Sequence, residues 1–272
     1  MGMSINTNVG AMVALQGLAK STRELEGTQM HVTTGLRVNG PKDDSATFAI
    51  AQNMRGNIAG YIAVGISLAM GESVVNVAID AAKAASELLI EMKAKVVQAT
   101  QDGMDSNSYI ALHQDFTALR AQIDTIAETA EFNGKNLISS TATTFNVLST
   151  VAGSTITVSA RPIDPTTLLI SAATLMSAST AVTALALINS AIVTVSNALA
   201  GLGASAKRVE IQRDFTGKLT DVLKQGVGNL VDADLAKESA MLQALQIKQQ
   251  LGVQALSIAN SNPQSILALF RG

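Results

Sequence analysis

The sequence predicts a mainly α protein: a long antiparallel helical rod or bundle with paired N- and C-terminal helices and a small β-hairpin at the tip. Three observations carry that expectation. Apolar residues recur in steps of three and four through most of the chain. The two ends carry matched helices, weakly amphipathic and poor in charge. Only between about residues 144 and 160 do two β-rich runs flank a Gly-containing turn.

The first helix spans about residues 5–34, with Ile5, Val9, Met12, Leu15, Leu18, Thr22, Leu25, Gln29 and Val32 on one stripe. Gly35 suits its C-cap, and Pro41 bars helix at Gly40. Asp43, Asp44 or Ser45 then caps a second helix of about fifty residues. Its stripe includes Ala51, Ile58, Ile62, Leu68, Val75, Ala82, Leu89, Met92 and Val96, interrupted once by Glu72. Asp102-Gly103 ends that helix, and Asp105 to Ser108 caps a third with Leu112, Phe116, Leu119, Ile123 and Ile126 on its face. Phe132-Asn133-Gly134 is a turn, and the runs 144–148 and 155–159 form the hairpin.

A fourth helix, about 178–224, turns Ile188, Val195, Leu202, Val209, Phe215 and Val222 inward. Gly226, Gly228 and Asp232 form its joint to the last helix. There Leu235, Leu242, Gln249 and Leu256 recur every seventh residue, and Leu245, Gly252 and Ala259 fall three after the last three of these. The seam runs on to Leu269 and Phe270. Seams this weak fray alone, so the ends are expected to pair. The division is a terminal coiled-coil domain (1–45 and 225–272) and a helical rod domain (46–224).

Composition narrows function. Apolar residues make up 47% but aromatics only 3%, which suits close helix packing better than a pocketed enzyme interior. A net charge of -2 leaves no electrostatic footprint for nucleic acid. The chain has no Cys, which removes disulfides and thiolate chemistry. The N-terminus shows no basic n-region or apolar h-region, so no secretory signal peptide is expected. The uncharged span between Asp164 and Lys207 is interrupted by Ser, Thr and Asn and reads as a bundle helix, without membrane insertion.

Chemistry is sparse. The two histidines, His31 and His113, sit on separate helices with no H-E-x-x-H partner. Asp43-Asp44 and Asp232-Ala233-Asp234 read as helix caps rather than acid pairs. No phosphate loop or nucleophile elbow occurs. No catalytic, metal or cofactor site is expected, and no enzyme.

The residues do carry a family signature. Ile5-Asn6-Thr7-Asn8, Thr34-Gly35-Leu36-Arg37-Val38-Asn39 and Lys42-Asp43-Asp44 resemble the N-terminal region of bacterial flagellin. Gln249-Gln250-Leu251-Gly252 and Ala259-Asn260 to Pro263-Gln264-Ser265-Ile266-Leu267-Ala268-Leu269-Phe270-Arg271 match flagellin C-termini. The run Gly228 to Ser239 looks alphaproteobacterial. The resemblance covers residues 4–137 and 185–271 and leaves no room for large outer domains.

It implies an extracellular subunit that polymerises with itself into the flagellar filament, for motility. Implied partners are the flagellar cap, hook-associated proteins, the export apparatus and a chaperone. The implied polymerisation seam is Ile5, Val9, Met12, Leu15, Leu18, Leu25, Leu235, Leu242, Leu245, Leu256, Leu269 and Phe270, with Gly35, Arg37, Asn39, Asp43 and Asp44 at the joint. Relatives with O-linked glycans imply candidate sites at Thr143, Thr144, Ser149, Thr150, Ser154 and Thr155. Many flagellins meet a toll-like receptor through a basic residue and a Leu four apart; here Glu91 and Lys95 align with that pair. The rival readings are a hook–filament junction protein and a surface polysaccharide-binding homologue.

Overall fold

A computed structural model describes residues 7–269. Ile5, Phe270 and the Leu269 side chain lie outside the described residues. The protein is mainly α: α1 (Val9–Thr34), α2 (Ser45–Ala99), α3 (Ser106–Thr129), α4 (Ala178–Val231) and α5 (Leu235–Leu269). Two small antiparallel pairs lie between α3 and α4 in sequence: β1 (Glu131–Phe132) with β2 (Lys135–Asn136), and β3 (Phe145–Leu148) with β4 (Thr155–Val158). The chain divides into two compact units, residues 1–56 with 222–272, and residues 57–221.

In the unit of residues 57–221, the buried face of α2 follows a strict heptad. Val64, Leu68, Gly71, Val75, Ala78, Ala82, Ala85, Leu89, Met92, Val96 and Ala99 alternate steps of four and three. On α4, Ala181, Ala184, Ile188, Ala191, Val195, Ala198 and Leu202 do the same. A period of 3.5 keeps one face turned to a partner along a long helix. With Phe116 and Ile123 of α3, and Leu137, Ile138, Ile163, Ile170 and Leu175 of the connection, these residues form one core.

On α2 and α4, three residues expected inside are exposed: Ile62, Phe215 and Val222. Alanines at heptad positions take the inside instead, because a short side chain lets helix backbones approach closely. Glu72, the break in the expected stripe, is neutralised by an ion pair with Arg213 of α4.

The hairpin is not at the tip of the helices. It lies along α2, where Gly60 faces Val151 and Gly71 faces Val147; a Cβ at Gly71 would come within 2.6 Å of a Val147 methyl. The glycines clear the helix surface for it. Asn133 (φ 51) and Gly134 (φ 71) make the two-residue turn between β1 and β2. Asp164 then organises the return toward α4, accepting from the Thr166 and Thr167 amides, both at 3.1 Å. His113 is a packing residue whose Nδ1 accepts from the Leu175 amide at 3.3 Å.

The fourth helix continues to Val231, through Gly226 and Gly228, where a joint was expected. The Met54 side chain covers Gly226 and the Asp232 carboxylate covers Gly228, so neither glycine exposes bare backbone and the helix persists. Both α2 and α4 are long and apolar enough to cross a membrane by length and composition. In this fold each contributes one face to the core.

Candidate assembly surface

The unit of residues 1–56 and 222–272 is built on α1 and α5, which pair antiparallel. Its register is marked at three points. Near one end, Asn8 Nδ2 donates to the Ala259 carbonyl at 2.7 Å, while Asn8 Oδ1 caps α1 by accepting from the Ala11 amide at 3.0 Å. In the middle, Leu18 lies against Gly252, where a Cβ would meet its Cδ1 at 3.2 Å. At the other end, His31 Nδ1 stands 3.5 Å from Glu238 Oε1.

On α5 the half-buried and buried positions are Glu238, Leu242, Leu245, Gln249, Gly252, Leu256 and Ala259. Leu242, Leu245 and Leu256 therefore face α1, whereas Leu235 is exposed. On α1 the matching positions are Ala11, Ala14, Leu18, Ser21, Leu25, Thr28 and Val32, with Thr22, Glu24 and His31 half-buried beside them. Leu18 and Leu25 lie in this seam; Val9, Met12 and Leu15 do not, being 67%, 54% and 55% exposed. The single stripe expected on α1 is thus two faces. Tracking the largest apolar residues led away from the seam at Val9, Met12 and Leu15, because alternate inner positions of α1, Ala14, Ser21 and Thr28, are small. The signal that finds it is the exact heptad of Ala11, Leu18, Leu25 and Val32, with Ala14, Ser21 and Thr28 between.

The outward sides of both helices are apolar. Val9, Met12, Val13, Leu15 and Met30 of α1 are exposed, as are Met241, Ile247, Leu251, Val253 and Ile258 of α5. A lone soluble helix pair gains nothing from such a surface, and apolar patches of this kind mark association sites.

The joint is held by backbone. Gly35 caps α1 with φ +71, its amide donating to the His31 carbonyl at 2.9 Å. Arg37 and Val38 donate to the Val231 carbonyl at 2.7 and 3.2 Å, and Ala233 donates back to Gly35 at 2.9 Å. The Arg37 guanidinium adds a bond to the Leu230 carbonyl at 2.6 Å. One Asp43 oxygen accepts from the Asn39 and Gly40 amides at 2.9 and 3.0 Å, fixing the turn. Asp44 accepts from the Ala46 and Thr47 amides, both at 3.0 Å, and from the Thr47 hydroxyl, capping α2. Those bonds, the Thr47 hydroxyl foremost, hold its carboxyl below the usual carboxylate range. The two adjacent acids therefore act as caps, and among the described residues no group of three or more acids or histidines is placed to hold a metal.

Of the candidate sugar-bearing residues, Thr143, Thr144, Ser154 and Thr155 are exposed. Thr150 is half-buried, with its hydroxyl accepting from the Ser154 amide at 3.1 Å. Ser149 is buried and donates to the Ser154 carbonyl at 2.9 Å, which takes its hydroxyl out of reach of a modifying enzyme. Glu91 is exposed on α2. Four residues on, Lys95 Nζ lies 2.6 Å from Asp115 of α3, and that bond raises the lysine pKa.

Comparison with known proteins gives this surface a context. Residues 5–143 match the model of the bacterial flagellin N-terminal helical region, and residues 185–270 that of the C-terminal helical region. The chain is 44% identical over 269 residues to a flagellin of Caulobacter vibrioides, FljK, covering 98% of each. It is 38% identical over 282 residues to a flagellin of Brucella melitensis, covering 99% of each. Among solved structures it is similar in fold to a Vibrio parahaemolyticus protein assigned as flagellar hook-associated. That likeness has a TM-score of 0.58 at 13% identity, covering 70% of this chain and 100% of that one.

Proposed function

The chain belongs to the flagellin family and is a structural subunit of the bacterial flagellar filament, and we propose that it polymerises through the outward apolar faces of its terminal helix pair. The curated relatives that match nearly its whole length are named flagellins, which does not favour the junction-protein reading. As a filament component it is extracellular and structural.

The observation that carries the proposal is the distribution of apolar side chains on α1 and α5. Their shared seam mixes Leu18, Leu25, Val32, Leu242, Leu245 and Leu256 with small and polar groups such as Ala14, Ser21, Thr28, Gln249 and Gly252, while ten large apolar side chains face outward: Val9, Met12, Val13, Leu15, Met30, Met241, Ile247, Leu251, Val253 and Ile258. Burying one of the larger aliphatics is worth about 1.5–3 kcal/mol, so a second copy covering several supplies what the intrachain seam lacks. A head-to-tail contact that does not close gives a helical polymer. The subunit further meets the cap and hook-associated proteins at the filament ends, and passes out through the export apparatus, held by a chaperone beforehand. A subset of Thr143, Thr144, Thr150, Ser154 and Thr155 carries O-linked sugar, and an intact subunit mass equal to that of the bare chain refutes this.

The test of assembly is seeded polymerisation of the depolymerised full-length protein carrying Val13→Glu or Leu251→Glu. Both positions are exposed in the single chain, so its helicity is expected to stay native while filament growth stops. Growth at the native rate refutes the proposal.

A further inference from the structure

Three arginine side chains are committed to partners far away in sequence: Arg37 to Leu230, Arg120 to Ile170 and Ser171, and Arg213 to Glu72. Arg161 is different. Its guanidinium has no hydrogen bond or ion pair among the described residues, yet it has a defined seat. A Cβ at Gly201 of α4 would come 3.1 Å from both Nε and Nη2 and 3.3 Å from Cζ of Arg161. The fork therefore lies over bare helix backbone. Gly203 and Gly217 on the same helix have open space above them. The backbone under Arg161 is pinned as well, its amide donating to Leu137 at 2.7 Å and that of Ile163 to Ile138 at 2.9 Å. Beside it lies a pocket of about 270 Å³ lined by Arg161, Pro162, Thr194 and Asn197.

We propose that this pocket is a carboxylate-binding site, with the Arg161 fork as the bidentate ligand and the Asn197 amide as a second donor. A planar guanidinium matches a carboxylate through two parallel N–H···O bonds. A helix-interior glycine costs about 1 kcal/mol against alanine, and at 201 it is what lets the fork lie flat. Two sources present this group: an Asp or Glu of a neighbouring copy in the filament, or a soluble acidic sugar. Only the first rests on the filament reading.

Sodium glucuronate titrated onto depolymerised full-length protein tests the second source, read from the Arg161 Nε–H and Asn197 side-chain amide resonances. Filament dissociation temperature as a function of NaCl tests the first. Saturable shifts in the native chain, weakened at least tenfold in Arg161→Lys, support the soluble acid. No shifts, together with Arg161→Lys filaments that dissociate at lower temperature and lose their salt response, support a neighbouring copy. An Arg161→Lys chain unchanged in both assays overturns the site. Gly201→Ala is expected to reproduce the arginine defect without lowering monomer melting, and a Gly201→Ala chain that behaves as native in both assays overturns it too.

Discussion

Gly71 and Gly60 offer the same substitution in two settings that differ in one respect. In a helix interior, alanine is favoured over glycine by about 1 kcal/mol. Against that, a Cβ at 71 would stand 2.6 and 2.7 Å from the two methyls of Val147, about 1 Å inside normal carbon contact. Val147 is 1% exposed, so relief requires moving β3, and overpacking of this kind costs about 1–3 kcal/mol. Gly71→Ala is therefore expected to lose about 1–2 kcal/mol net, near the upper part of that balance. At roughly 2–4 °C per kcal/mol for a unit of this size, its melting temperature falls by several degrees. At 60 the intruding methyls belong to Val151, which is 45% exposed in the hairpin turn and free to swing away. Gly60→Ala is expected to be neutral or stabilising by up to about 1 kcal/mol. Thermal and urea unfolding of depolymerised protein, followed by far-UV circular dichroism, measure both. Val147→Ala supplies the internal check: it costs about 2 kcal/mol alone, and combined with Gly71→Ala the loss falls short of the sum by about 1 kcal/mol or more. Equal effects at 60 and 71, or additivity within about 0.5 kcal/mol, refute the reasoning.

Deleting residues 1–33 or 235–272 is expected to abolish polymerisation while residues 57–221 keep a cooperative thermal transition, because that unit has its own core; filaments of native length from either truncation contradict this. The Asp44 cap has a defined pH window. Its carboxyl is lowered in the folded chain, so its contribution is present above the unfolded value near 4 and fades as pH falls through the lowered one. Amide exchange at Ala46 and Thr47 should stay slow at pH 4–5 and quicken at lower pH, and Asp44→Asn should remove that step. Depolymerised protein is expected to activate the toll-like receptor weakly or not at all. Glu91 puts a carboxylate where the resemblance has a base, and Lys95 is tied to Asp115 where it has an apolar anchor. A lost anchor of this kind costs on the order of 2 kcal/mol or more; nanomolar activation in a reporter assay refutes the alignment, and Glu91→Arg with Lys95→Leu should raise the response.

Helix existence and most helix ends were legible because caps and breakers are local. Gly35, Asp44, Asp105 and Gly103 mark them within a few residues of where the chain turns, whereas the Asn8 cap, which starts α1 at Val9, was passed over. Helix faces were legible only where the inner positions are large. On α5, Leu242, Leu245 and Leu256 announce the seam directly. On α1 the inner Leu18, Leu25 and Val32 alternate with the small Ala14, Ser21 and Thr28, so toward its N-terminus size pointed to Met12 and Leu15, which face out. Hydrophobicity reports burial wherever it occurs, and a single chain cannot separate burial against itself from burial against a copy. The hairpin's seat was hidden for another reason. Glycines such as Gly60 and Gly71 leave a helix surface open to close approach, and only Val151 and Val147 in place show that what approaches is the hairpin rather than another helix. Gly201 under Arg161 is the same kind of signal, invisible until both partners are in space.

The bond from Asn8 to the carbonyl of Ala259 spans 251 residues of sequence, and that distance is also a delay. A ribosome adding about 5–20 residues per second needs roughly 12–50 s to make the intervening chain. Residues 57–221 form a contiguous stretch with their own core and are available to fold well within that interval. The helix α1 is not so placed: α5, the partner that covers Leu18, Leu25 and Val32, is synthesised only after the whole of residues 57–221. Whatever shields those side chains in the meantime must let go when α5 arrives. Helix α1 is made before that core and finished after it.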